Sequence, residues 1–335
     1  MRVLIRMPNW LGDAVMATPA VDNLMRHYPA AGVVLVGSAG VCRLFADDPR
    51  FLAVITDGTR SERFRTAALW RLGRQLRASH GPFDLAVTFP NSLSSRLFLF
   101  SSGARHRVGR RQGIADWLMT HAIACEEPLH EAERFNRLLN QYLSADLATG
   151  PARLHVAQGR TFAKPTIGIN PGAAHGPARR WHPRKFAATA VELAADFDIV
   201  IFGGPDELES AGEVESALRD AGRSNYCNIA GCTMAELIAW LSGLDLLITN
   251  DTGPMHMAGA LGVPIVALFG PTDPRRTRPW SHGGLRVLYR HPPCGPCEKA
   301  VCPLGHHDCL QQIGVGDVIQ AVRSLRDATG AAEAA

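Results

Sequence analysis

The chain has 335 residues, more than one hydrophobic core usually serves, so two domains are expected. It is 46% apolar and 20% charged, the composition of an ordinary soluble globular protein. The net charge of +4 is uneven: residues 1–150 hold 18 arginines, no lysine and 13 acidic groups, and residues 151–335 hold 17 basic and 18 acidic groups. That excess excludes a dedicated nucleic-acid binder but makes the first half the docking face for an anionic partner.

The chain opens with Met1-Arg2-Val3-Leu4-Ile5-Arg6, which reads as a first strand and not as an export signal, so a cytoplasmic protein is expected. Apolar runs such as Pro264-Ile265-Val266-Ala267-Leu268-Phe269 fall far short of the roughly 20 residues a bilayer demands. After the strand Arg2–Arg6 comes a loop to Asp13 and a helical stretch to Tyr28, whose entry Pro19 leaves uncertain. Strands are predicted at Val33–Val36, Leu52–Thr56 and Asp84–Phe89, with a helix over Thr66–Ser79. Periodicity fades from Ser144 to Lys164, the linker candidate.

The second half repeats the theme. Strands are predicted at Thr166–Asn170, Asp198–Phe202, Asp245–Thr249 and Pro264–Phe269, nearly continuous apolar runs as buried parallel strands should be. Helices fit Pro183–Ala195, Glu207–Ala221, Met234–Leu241 and Asp317–Arg326, and Thr233 with Glu236 forms a capping box. The alternation predicts an α/β fold of two Rossmann-like domains with parallel sheets, which bind ligands beyond the carboxyl ends of their strands.

Three loops leave such strand ends. Met7-Pro8-Asn9-Trp10-Leu11-Gly12-Asp13 lacks the Gly-x-Gly-x-x-Gly fingerprint of a dinucleotide site but carries a carboxylate. Asp13 can accept a proton from an attacking hydroxyl, or it can simply cap a helix. The second loop places Gly172 and Ala173 ahead of Arg179, Arg180 and Trp181, so that accessible amides and two fixed cations can neutralise a leaving diphosphate. A solvated basic turn anchored by Trp181 is the alternative. The third, Asn250-Asp251-Thr252-Gly253-Pro254-Met255-His256, leaves a strand and opens a helix, where unpaired N–H groups and a positive dipole suit a phosphate. Its alternative is an ordinary turn capped by Asp251 or Thr252.

Together with Phe269-Gly270-Pro271-Thr272, these motifs in this order resemble the ADP-heptose:lipopolysaccharide heptosyltransferases of glycosyltransferase family 9, the heptosyltransferase II branch most of all. The resemblance runs from Met1 to about Arg326. It implies a GT-B architecture of two facing domains: an acceptor domain over 1–160, an ADP-sugar donor domain over 161–327 and a flexible tail over 328–335. It implies inverting transfer of L-glycero-D-manno-heptose from ADP-heptose to the heptose-I-bearing inner core of lipopolysaccharide, with no essential metal. Asp13 then corresponds to the proposed general base, and Asp251, Thr252, Gly253 and His256 to the donor-binding loop. Arg179 stands where relatives often carry a lysine, which leaves both Arg179 and Arg180 open for that role. Heptosyltransferase I, another family-9 sugar transferase and an epimerase of GT-B shape are the competing readings.

An acceptor bearing phosphates and carboxylates at the cytoplasmic face of the inner membrane would be guided by Arg60, Arg63 and Arg65, with Leu69, Trp70 and Leu72 touching lipid. The alternative is a helix with a plain core-facing side. Asn91 and Arg96 are further acceptor candidates, and Arg105, Arg107, Arg110 and Arg111 read as a solvated loop. Cys294, Cys297, Cys302 and Cys309 can close a structural zinc site, remain reduced thiols or pair by oxidation.

Overall fold

The computed structural model describes residues 1–125 and 128–333. The chain forms two compact units, Met1–Ala157 and a second that begins at Gln158.

Among the described residues the first unit holds six parallel strands: β1 (Arg2–Arg6), β2 (Gly32–Gly37), β3 (Ala53–Thr56), β4 (Leu85–Thr88), β5 (His106–Arg110) and β6 (His121–Ile123). Their order is β3-β2-β1-β4-β5-β6. Val3 pairs with Val33 on one side and with Leu85 on the other. The central strands are Val-, Leu- and Ile-rich because helices cover both of their faces. Under one layer lie Leu4, Val34, Val36, Leu69, Phe83, Phe98 and Leu99.

The second unit repeats the arrangement with β7 (Thr166–Asn170), β8 (Asp198–Ile201), β9 (Tyr226–Asn228), β10 (Leu246–Asn250), β11 (Ile265–Phe269) and β12 (Leu285–Tyr289). The order β12-β11-β10-β7-β8-β9 is the same topology read from the other edge. In each sheet the direction of strand succession reverses once, between β1 and β4 and between β7 and β10. Loops at that switch diverge and leave a crevice beyond the strand ends.

The central strands and long helices fall where the sequence places them. The edge strands β6, β9 and β12 and the interior strand β5 lie outside the predicted strands, because sequences such as His106-Arg107-Val108-Gly109-Arg110 carry too few apolar residues to announce a strand. Arg107 and Arg110 therefore belong to a strand and not to a solvated loop. The last helix covers Val315–Glu333, so the segment expected to fray from 328 is helical through Glu333, and residues 334–335 lie outside the described residues. Thr233 caps its helix as predicted: Glu236 N–H donates to Thr233 Oγ1 at 3.3 Å, and Thr233 N–H donates to Glu236 Oε2 at 2.8 Å. Among the described residues no helix is long and apolar enough to cross a membrane.

Candidate active site

At the switch of the first sheet, the loop after β1 and the loop after β4 open a pocket of about 250 Å³. Pro8, Asn9, Trp10 and Asp13 come from the first loop, Phe89, Pro90 and Asn91 from the second, and Arg110 from the end of β5. The helix Glu131–Leu143 closes the remaining side with Glu131, Arg134, Phe135 and Leu138. Phe89 and Phe135 meet edge to face with centroids 5.1 Å apart, giving the pocket an apolar wall.

Asp13 lies in the first turn of the helix Leu11–Met16, whose N-cap is Trp10 with no side-chain capping bond. It is therefore not the cap of that helix. A carboxylate in a first turn sits in the favourable field of the helix dipole.

The other acceptor candidates separate. Asn91 lines the pocket. Arg96 is buried beneath it: Nη1 donates to Asp116 Oδ1 at 2.5 Å, and Nη2 donates to Asn91 Oδ1 at 3.1 Å and to the Arg110 carbonyl. Arg96 therefore holds the pocket wall and is itself covered. Arg60 and Arg63 are exposed and do not line the pocket. Arg60 lies in the 3-10 turn Gly58–Ser61 that Asp57 caps, and the Arg63 guanidinium sits 5.5 Å over the Phe64 ring. Leu69 is core, not surface. Glu131 and Arg134, an ion pair on the helix wall, were missed by sequence reasoning; the pocket gathers them from more than a hundred residues away in the chain.

In the second unit the loop after β7 and the loop after β10 flank the corresponding switch. Asn250, the last residue of β10, ties them: Nδ2 donates to the carbonyls of Pro171 at 2.9 Å and Gly172 at 3.0 Å, and Oδ1 accepts the Trp181 N–H at 3.0 Å. Trp181 is fully buried, with its ring N–H on the Ile313 carbonyl at 3.1 Å. Gly172 is required, since a Cβ there would fall 2.1 Å from the Glu207 carboxyl carbon. Glu207 in turn accepts the Gly204 N–H at 2.7 Å, a bond within the loop after β8 that holds its carboxylate against Gly172. Ala173 is buried, and its carbonyl accepts from Arg180 Nε at 3.2 Å.

Asp251 is buried and receives Arg179 Nη1 at 2.9 Å and Thr272 Oγ1 at 2.8 Å. Burial pushes its carboxyl above the usual range, while Arg179 and Thr272 act in the opposite sense. Of the two arginines, Arg179 reaches the third loop and Arg180 serves its own.

The helix Gly253–Ala260 follows, with Pro254 in its first turn. Thr252 occupies the N-cap but makes no side-chain capping bond. Its hydroxyl instead accepts from Asn170 Nδ2 at 3.1 Å and lies 3.2 Å from Thr249 Oγ1. The leading amides of this helix are thus not capped by Thr252, the condition an anion site needs. His256 is buried one turn further on.

All eight cysteines lie among the described residues, and none of them forms a disulfide. Cys294, Cys297, Cys302 and Cys309 line one apolar space of about 40 Å³ beside Ala178, Gly270 and Pro271. Their segment braces the second loop, since Ala178 N–H donates to the Ala300 carbonyl at 3.0 Å. Among the described residues no three His, Cys, Asp or Glu side chains are placed so as to hold a metal ion.

Comparison with known proteins decides the family. The model of glycosyltransferase family 9 (heptosyltransferase) matches residues 69–307. The chain belongs to that family. It is 30% identical to lipooligosaccharide heptosyltransferase 2 of Campylobacter jejuni, over 97% of this chain and 98% of that one. It is 27% identical to lipopolysaccharide heptosyltransferase 2 of Escherichia coli K12, over 97% of this chain and 98% of that one. The solved ADP-heptose heptosyltransferase II of E. coli superposes with a TM-score of 0.81 at 26% identity, covering 97% of this chain and 98% of that chain. This family-9 chain is accordingly a glycosyltransferase of GT-B architecture, and the two switch crevices are its candidate substrate sites.

Proposed function

We propose that this glycosyltransferase moves L-glycero-D-manno-heptose from ADP-heptose to the heptose-I-bearing inner core of lipopolysaccharide, with inversion, at the cytoplasmic face of the inner membrane. The observation that carries the reading is that each unit has its own switch crevice and that the two are unlike. One holds a carboxylate, Asp13, in its pocket; the other holds helix amides that Thr252 does not cap, beside an ion pair of buried Asp251 with partly exposed Arg179. An inverting displacement needs a base for the nucleophile and a separate grip on the leaving group.

Asp13 takes the proton of the acceptor hydroxyl. The amides at Gly253 and beyond, with Thr252 and His256, hold the departing diphosphate, and Arg179 supplies a positive charge near it. Gly172 and Ala173 keep the facing loop close to the donor. Asn91 and the charged groups of the first pocket receive the acceptor. The curated relatives named heptosyltransferase 2 support the choice of acceptor.

The test is mass spectrometry of core acceptors with and without the first heptose, incubated with ADP-heptose and either wild-type protein or Asp13→Ala. The expected result is a gain of one heptose only on the acceptor that already bears one. Asp13→Ala should lose about 10²–10⁴-fold in kcat, the usual contribution of a general base, with donor affinity kept. Transfer to the heptose-free acceptor, or full activity of Asp13→Ala, overturns the assignment.

A further inference from the structure

An aromatic surface on the first unit, of which the sequence singled out Trp70 alone, takes no part in the transfer chemistry above. Trp70 lies on the helix Arg65–His80, Phe100 on the helix Leu93–Ser101 and Trp117 in the 3-10 turn Ile114–Leu118. Their rings form a chain, Trp70 to Phe100 at 5.9 Å and Phe100 to Trp117 at 5.9 Å. Ile114 is 97% exposed and Trp117 71% exposed. In a 3-10 turn residues three apart eclipse, so both project from one side. Single exposed apolar residues are ordinary, but a joined set of this size marks a contact surface.

The charge around it selects the partner. Residues 60–111 hold eleven arginines against only two acidic residues, Glu62 and Asp84. Trp70, Arg74 and Arg77 recur at helical spacing on one face of their helix, and all three are exposed. The Arg107 guanidinium lies 5.3 Å over the Phe100 ring. Tryptophan interleaved with arginine suits the headgroup level of a bilayer, where the rings enter the acyl boundary and the guanidinium groups meet lipid phosphates.

The surface is also coupled to the acceptor pocket. Asp116, between Ile114 and Trp117, accepts from Arg96, and Arg96 clamps pocket-lining Asn91 and the carbonyl of Arg110. One buried guanidinium therefore fixes the aromatic turn against the pocket wall.

We propose that Trp70, Phe100, Ile114 and Trp117, with the arginines around them, form the surface by which the first unit docks on an anionic phospholipid bilayer. The proposal deepens the functional reading and rests on it, because only an acceptor carried in a membrane gains from being met there. Docking sets the pocket at the height of the sugar that emerges from the lipid.

The test is co-sedimentation with vesicles of phosphatidylethanolamine and phosphatidylglycerol, against vesicles of phosphatidylcholine alone. It uses the full chain, the double variant Ile114→Glu/Trp117→Glu and the control Leu52→Glu, an exposed leucine outside the patch. Wild type and control should bind the anionic vesicles, more weakly as salt is raised. The double variant should lose binding at least about tenfold. It should keep its turnover on a deacylated, water-soluble acceptor and lose it on the same acceptor embedded in vesicles. Vesicle binding by the double variant equal to wild type overturns the proposal. So does a wild-type dimer, seen in sedimentation velocity, that the double variant splits, since a second copy would then cover the patch. Failure of wild type on the deacylated acceptor would instead strike the functional reading, leaving vesicle binding to decide the surface.

Discussion

Trp181 and Asn250, 69 residues apart, are joined by a hydrogen bond from the Trp181 backbone N–H to Asn250 Oδ1 at 3.0 Å. Since Asn250 also donates to the carbonyls of Pro171 and Gly172, one side chain at the end of β10 fixes both ends of the loop after β7.

Asn250→Ala therefore removes three buried hydrogen bonds and leaves their backbone partners unpaired. The expected cost is about 3 kcal/mol, at net values near 1 kcal/mol per bond and more for orphaned groups. Urea unfolding measures it. Because the same bonds shape the loop, ADP affinity by calorimetry should fall while acceptor binding is unchanged. An unfolding midpoint within error of wild type would remove Asn250 as the tie.

The legible parts of this site are those where a strand runs straight into a loop. Apolar runs predicted β1, β7 and β10, and the small and charged residues after each predicted where chemistry would gather. The sequence could not show how side chains divide their work. Arg96 reads like any basic residue near a strand end, yet it is buried against Asp116, a partner twenty residues on. Arg179 and Arg180 are adjacent and chemically alike, but only Arg179 reaches Asp251. Glu131 and Arg134 carry no motif, and only the tertiary fold brings their helix to the pocket. Thr272 sat in a recognised segment without a role until its hydroxyl was seen on Asp251.

That hydroxyl gives a second prediction. Asp251 is covered, so its charge depends on the two donors that reach it. Thr272→Val keeps the shape of the side chain and removes one of them, at a cost of about 1–3 kcal/mol for a bond to a charged group. Thr272→Ser should restore it. The readout that separates positioning from packing is kinetic: the valine variant should raise KM for the donor by about tenfold, equivalent to 1.4 kcal/mol, and the serine variant should not. Equal KM values for both variants would leave Thr272 a packing residue.

Acid stability should show two carboxylates pulling in opposite directions. Asp57 is buried, which raises its pKa, but Arg6 and Thr59 outweigh burial and hold it below the ordinary value. Its folded pKa is depressed, so its contribution is present above the unfolded value of about 3.9 and is lost as pH falls through the folded value. Asp251 is raised by burial. The folded state then binds the extra proton, and its contribution falls as pH rises from about 4. Relative to wild type, Asp57→Asn should flatten the loss of stability below about pH 4. Asp251→Asn should flatten the decline above it. Urea unfolding from pH 3 to pH 7 measures both slopes, and parallel curves for all three proteins would refute the assignment.

The last prediction concerns Arg96, whose side chain is 1% exposed. Arg96→Met fills much of its volume but leaves the Asp116 carboxylate, Asn91 and the Arg110 carbonyl without their donor. Asp116 is partly open to water and keeps the amides of Gln112 at 2.9 Å and Gly113 at 3.1 Å. The expected loss is therefore about 2–3 kcal/mol, below the full cost of stranding a buried ion. Arg96→Lys should recover little, because a single ammonium cannot serve three acceptors spread across the plane of a guanidinium. The functional consequence is directional: Asn91 is freed in the acceptor pocket, so KM for the acceptor should rise while KM for ADP-heptose stays at the wild-type value. A rise in both constants together would mean that the substitution loosens the whole first unit, and Arg96 would then be a stability residue with no specific hold on the pocket.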